Sequence, residues 1–250
     1  VPRWIAETWA VLALVACIAV SLAYAHKWLR HGDAARAELA DPGQMGFFGC
    51  LPIAWALAAG CLAPYTPELA RDLWRAAAAL MFATQIGAMA RWLTGGIALA
   101  QLNTGWMIAF IGPVPVAGPG VVVGEIELAA MLFSASAFAT PIVGGMVMFR
   151  SFVGPPLADA MKPTLFILLV PFSFAYAYAP VLWGLAPGPV LDSVFAFTAV
   201  MALALVVMSR GAARWPFGAP WWSFTFPLDA FALAALAFAR DHAGPAPLAL

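Results

Sequence analysis

Residues 220–231 read PWWSFTFPLDAF, a run of large aromatics interrupted by Pro227 and followed at once by Asp229. In a water-soluble protein such a run is a core segment with a charge on its rim. In a bilayer it is a broken helix that holds a ring and a carboxylate at depth. Composition decides between the two. Of 250 residues, 64% are hydrophobic and only 10% charged, and the mean hydropathy of +0.91 exceeds what a globular surface tolerates. The chain therefore reads as an integral membrane protein. Lys plus Arg and Asp plus Glu both number 12, and no basic cluster stands out, so nothing points to nucleic acid as a partner.

Windows of about 20 apolar residues with few charges predict helices near 5–25, 45–63, 72–94, 104–123, 126–149, 163–183, 190–209 and 221–239. Connections between them are short, leaving one helical membrane domain over 1–250 with no room for a soluble one. The opening run lacks the small-residue cleavage pattern of a signal peptide and reads as a spanning helix.

The second, fourth, sixth and eighth spans carry interior prolines: Pro52; Pro113, Pro115 and Pro119; Pro171; Pro227. Of the other spans only the fifth does, at Pro141. The proline-bearing spans start 59, 59 and 58 residues apart, which is the signature of a repeated helical hairpin. One more period each way predicts a proline-bearing helix before Val1 and a partner helix after Leu250, giving five hairpins. Lys27, Arg30, Arg36, Arg91, Arg150, Lys162, Arg210 and Arg214 fall on one side, and Arg3, Arg71, Arg75 and Arg240 on the other. Basic residues accumulate in cytoplasmic loops, so each proline-bearing helix starts at the cytoplasm and the hairpins repeat in parallel.

Each interior proline lacks a backbone donor and clashes with the carbonyl four residues back, here those of Phe48, Ala109, Ile167 and Ser223. In hydrocarbon such kinks persist where protein or water covers them. The four prolines lie six to nine residues into their spans, at depths of roughly 9 to 14 Å. The expectation is a ring of kinked inner helices around a central path.

Three stretches, NTGWMIAFIGPVPVAGPG at 103–120, MKPTLFILLVPFSFAY at 161–176 and PWWSFTFPLDAFALAALA at 220–237, resemble the tellurite-resistance/dicarboxylate transporter family. That family includes bacterial TehA-like proteins and the slow anion channels of plant guard cells. The resemblance covers the second to ninth helices of a ten-helix fold. It implies five proline-bent inner helices inside five outer ones, a narrow pore blocked by a phenylalanine of the ninth helix, and a homotrimer with one pore per subunit. It further implies a multi-pass protein of the bacterial inner membrane that passes small inorganic anions or C4-dicarboxylates such as malate. Two departures stand out: Ala109 where the family usually has proline, and Phe172 where a second proline is common.

The resemblance carries the gate onto Phe226, with Phe224 as its rival. At 100° per residue Phe226 shares a face with Trp222, Ala230, Leu233 and Ala237, whereas Phe224 lies about 160° away with Phe231 and Phe238. The first face is rich in small residues and suits a pore; the second is bulky and suits packing or lipid. Asp229 is the one acid well inside a span and is a functional candidate by default. Three readings stand for it: protonated by burial, paired with a basic or hydroxyl group, or titrating in proton coupling.

His26, His31 and His242 fall at span ends and read as solvated interfacial residues. Trp4, Trp28, Trp183, Trp215, Trp221 and Trp222 read as interfacial anchors. Glu125 and Glu127 suit a helix N-terminus. Cys17, Cys50 and Cys61 sit in apolar runs; Cys50 and Cys61 share a face but lie roughly 16 Å apart along it. No cofactor or metal-ligand spacing emerges, which disfavours a membrane-embedded enzyme. Anion channel and proton-coupled transporter using Asp229 both remain open.

Overall fold

The structure is a computed structural model and describes residues 2–243. The described residues form ten α-helices linked by turns and short 3-10 segments, with no strand among them. These are α1 (Arg3–Arg30), α2 (Gly32–Ala40), α3 (Cys50–Leu62), α4 (Pro67–Leu93), α5 (Gly105–Ile111), α6 (Pro113–Val122), α7 (Ile126–Val153), α8 (Leu169–Trp183), α9 (Pro189–Met208) and α10 (Thr225–Asp241). Six helical segments are long and apolar enough to cross a bilayer, and α5 with α6, bent by 42°, makes a seventh. The protein is a polytopic helical membrane protein. The predicted span at 72–94 overlaps α4, which is 27 residues long, ends at Leu93 and is not among the six. Thr84, Gln85 and Arg91 dilute its apolar run, and of the three only Gln85 is buried, where it bonds the Phe110 carbonyl. The helices expected before Val1 and after Leu250 lie outside the described residues.

The chain divides into two compact units, residues 1–136 and 137–250, with the boundary inside α7. In the first unit α3 packs along α4 and α6, while the 3-10 segment Met45–Gly49 lies on α5. Small residues permit that approach: a Cβ on Gly46 would stand 2.2 Å from the carbonyl oxygen of Gly105. The buried Trp74 of α4 donates from Nε1 to the Val116 carbonyl at 2.9 Å, and its ring fills the space a Cβ on Gly120 would need. In the second unit α8 packs against α9 and α10. Its core is Phe166, Leu169, Ala202 and Leu205, covered by Phe224 and Phe231.

The prolines act through a change of helix type. Pro52, Pro171 and Pro227 are each the third residue of their α-helix, and 3-10 segments precede them at Met45–Gly49, Asp159–Leu168 and Ala219–Phe224. At Pro113 the change is a break between α5 and α6. In the first turn of an α-helix a backbone donor has no partner anyway, so proline costs little there. Residues upstream bond three residues back: Cys50 N–H donates to the Phe47 carbonyl and Thr225 N–H to the Trp222 carbonyl.

Near the break, the Phe110 carbonyl is satisfied sideways. It accepts from Gln85 Nε2 at 2.9 Å and from Ser136 Oγ at 3.1 Å, all of them buried. In a medium without water that capture is what lets the break exist. Gln85→Leu removes one donor from a buried acceptor and should destabilise the protein by about 1–3 kcal/mol, read as a lower thermal midpoint in detergent micelles.

Candidate functional site

The aromatic stretch that opens α10 meets α8 through a short stack. Phe226 is half-buried, and its ring centroid lies 5.8 Å from that of Phe174. Phe174 in turn stacks on Tyr178 at 5.4 Å with planes 6° apart. Asp229, one turn beyond Phe226, acts electrostatically on Tyr178. The structure thus brings Phe226, Phe174, Tyr178 and Asp229 together between α8 and α10. Asp229 is exposed on the surface of the chain and makes no ion pair among the described residues.

Ser173, beside Phe174 and two residues after Pro171, is fully buried and its hydroxyl has no partner. It was not singled out in the sequence, where a lone serine in an apolar run carries no signal.

Phe224 faces elsewhere. It packs edge-on against Phe166 at 4.6 Å and against Trp221 at 5.5 Å. Phe231 covers the same core, and Phe238 stacks on Phe195 at 4.2 Å. The other face is not uniform: Ala230 is buried, while Leu233 and Trp222 are exposed. One reason is that residues 219–224 are 3-10 helix, so the 100° step used to place Trp222 with Phe226 does not hold there. Phe172, at the position of the family's second proline, packs edge-on against Phe197 of α9 at 5.0 Å.

Other expected residues fall in varied places. Trp4, Trp28, Trp183 and Trp222 are exposed, but Trp215 is only 8% exposed and carries Lys162 over its ring at 5.7 Å, so it packs inward. Glu125 ties α7 to α4, with Arg75 Nη2 at 2.6 Å and Arg71 Nε at 3.8 Å. Cys17, Cys50 and Cys61 are free thiols. At the other end of α1, Lys27 donates to the Glu38 carboxylate and holds it below the usual carboxylate range. Among the described residues no group of three or more His, Cys, Asp or Glu gathers as metal ligands.

Set beside known proteins, residues 1–249 match the model of the SLAC1 family, described as voltage-dependent anion channel. No curated protein matches the chain.

His242, expected at a span end as a solvated interfacial residue, is exposed there and also closes α10. Its ring stacks on Phe238 at 4.1 Å, its Nδ1 lies 2.9 Å from the Phe238 carbonyl oxygen, and its Nε2 lies 3.4 Å from an Asp192 carboxylate oxygen at the start of α9. The Phe238 carbonyl, and then the Asp192 charge, raise the imidazole above its ordinary value. A proton is therefore bound more tightly in the folded protein than in the unfolded one. The contact contributes fully below the ordinary histidine range, ~6.5, and is lost as pH rises through the raised value. The His242 titration followed by NMR should lie above that range, and Asp192→Asn should move it down.

Proposed function

Because this chain belongs to the voltage-dependent anion channel family, we propose that it carries small anions across a membrane through a central pore gated by Phe226. The observation that supports the gate is positional. Phe226 immediately precedes Pro227, at the point where 3-10 helix gives way to α10, and it is half-buried against Phe174. A residue before proline is disfavoured in helical geometry, yet Phe226 is the second residue of α10, so a modest change at this junction re-aims the ring. Pro227 sets this junction, and Pro52, Pro113 and Pro171 set the corresponding junctions of the other pore helices. The buried hydroxyl of Ser173 offers a donor to an anion that passes the opened ring.

The permeant class is small inorganic anions such as nitrate or chloride, and C4-dicarboxylates such as malate. The assembly is a homotrimer in a lipid bilayer, at the bacterial inner membrane, and the protein is a pathway and not an enzyme. Phe226→Ala should raise anion current severalfold in planar bilayers without changing the amount of inserted protein. Unchanged current from correctly inserted protein would remove Phe226 as the gate.

Asp229 motivates a second reading. A carboxylate on α10 that acts electrostatically on Tyr178 is a candidate for coupling organic-anion movement to protons. On this reading flux into proteoliposomes follows an imposed pH gradient and Asp229→Asn abolishes that dependence. Flux indifferent to the gradient leaves the uncoupled channel.

A further inference from the structure

Arg150 stands in the last turn of α7 and is only 6% exposed. Its Nε has no hydrogen-bond partner, and among the described residues no carboxylate pairs with it. The other basic side chains are dealt with differently. Arg3, Lys27, Arg36, Arg71, Arg75 and Lys162 each meet an acid, and Arg91 bonds Thr94 and Gly95. Arg30, Arg210, Arg214 and Arg240 are exposed. Arg150 alone among the described Lys and Arg residues is buried.

A buried guanidinium donor left without a partner is unfavourable, because it has lost water and gained nothing in exchange, and Nε of Arg150 is such a donor. The negative end of the α7 dipole offsets part of that cost. It does not fill the free donor: the helix end is closed by the Gly154 N–H donating to the carbonyl of Arg150 itself, at 2.8 Å. A guanidinium edge of Nε and one Nη matches two oxygens of a planar or tetrahedral oxyanion.

We propose that Arg150 anchors an oxyanion-binding site at the end of α7. The class of ligand rests on the reading of the protein as an anion pathway, and the same chemistry is offered by two sources. One is a free oxyanion such as nitrate or a carboxylate. The other is the phosphate of an anionic lipid at the membrane interface.

The test is binding, measured apart from transport. Purified protein in neutral detergent is titrated with potassium nitrate against potassium chloride at equal ionic strength, and thermal midpoints are recorded. A parallel series compares bicelles of phosphatidylcholine with bicelles containing phosphatidylglycerol. The parent should gain stability with nitrate or with phosphatidylglycerol, and whichever stabilises names the source. Arg150→Gln should weaken the apparent affinity by about tenfold or more, while Arg150→Lys, which keeps the charge but lacks the planar edge, should fall between. If Arg150→Gln does not fold, Arg150→Lys decides alone. Equal responses of parent and variant, or a parent that responds to neither probe, would overturn the site. Nitrate binding that persists in a protein without anion flux would leave this site standing and remove the proposed transport function.

Discussion

A proline cannot donate to the carbonyl four residues before it, and in hydrocarbon no water repairs the loss. The four segments that hold Pro52, Pro113, Pro171 and Pro227 are organised around that constraint. At Pro52, Pro113, Pro171 and Pro227 the chain meets it by placing the proline in the first turn of an α-helix, where the donor would be idle, and by winding the residues upstream as 3-10 helix or as a separate short helix. The carbonyl of Phe110, next to the sharpest break, is then met from the side by Gln85 and Ser136. Polar residues in α4 and α7 are thus part of the device that allows α5 and α6 to part.

The constraint was visible in the sequence because it is tied to a residue type. Pro52, Pro113, Pro171 and Pro227 recur at nearly constant spacing, and apolar length alone locates the segments that hold them. The family match over residues 1–249 agrees with what three short stretches implied. Helix type was not legible. Hydrophobic length is blind to whether a turn closes on the third or the fourth residue, and so the face assigned to Trp222 and Phe226 rested on a step that residues 219–224 do not take. The bulk of Phe224 and Phe231 left packing or lipid open for their face, and the structure packs both against the core of the second unit.

Contacts between distant segments were out of reach for a different reason. Nothing local marks His242 as the partner of Asp192, fifty positions away, or Trp215 as the ring beneath Lys162. Both lie at helix ends, where an interfacial anchor and a packed residue have the same composition. Tyr178 likewise acquires its relation to Asp229 only when α8 lies beside α10.

The two unpaired charges show the same limit from opposite sides. Sequence depth made Asp229 the conspicuous charge, because it lies well inside a span, and made Arg150 an ordinary basic flank. Depth is a position along the axis of a helix; burial depends on azimuth and on what packs there. Asp229 is deep by count yet lies on the surface of the chain, whereas Arg150 is shallow by count yet buried with a free donor. The electrostatic cost is therefore concentrated at the end of α7. In a protein whose cargo is negative, a buried cation with a free donor and no carboxylate partner among the described residues is a place where an anion can supply the counter-charge.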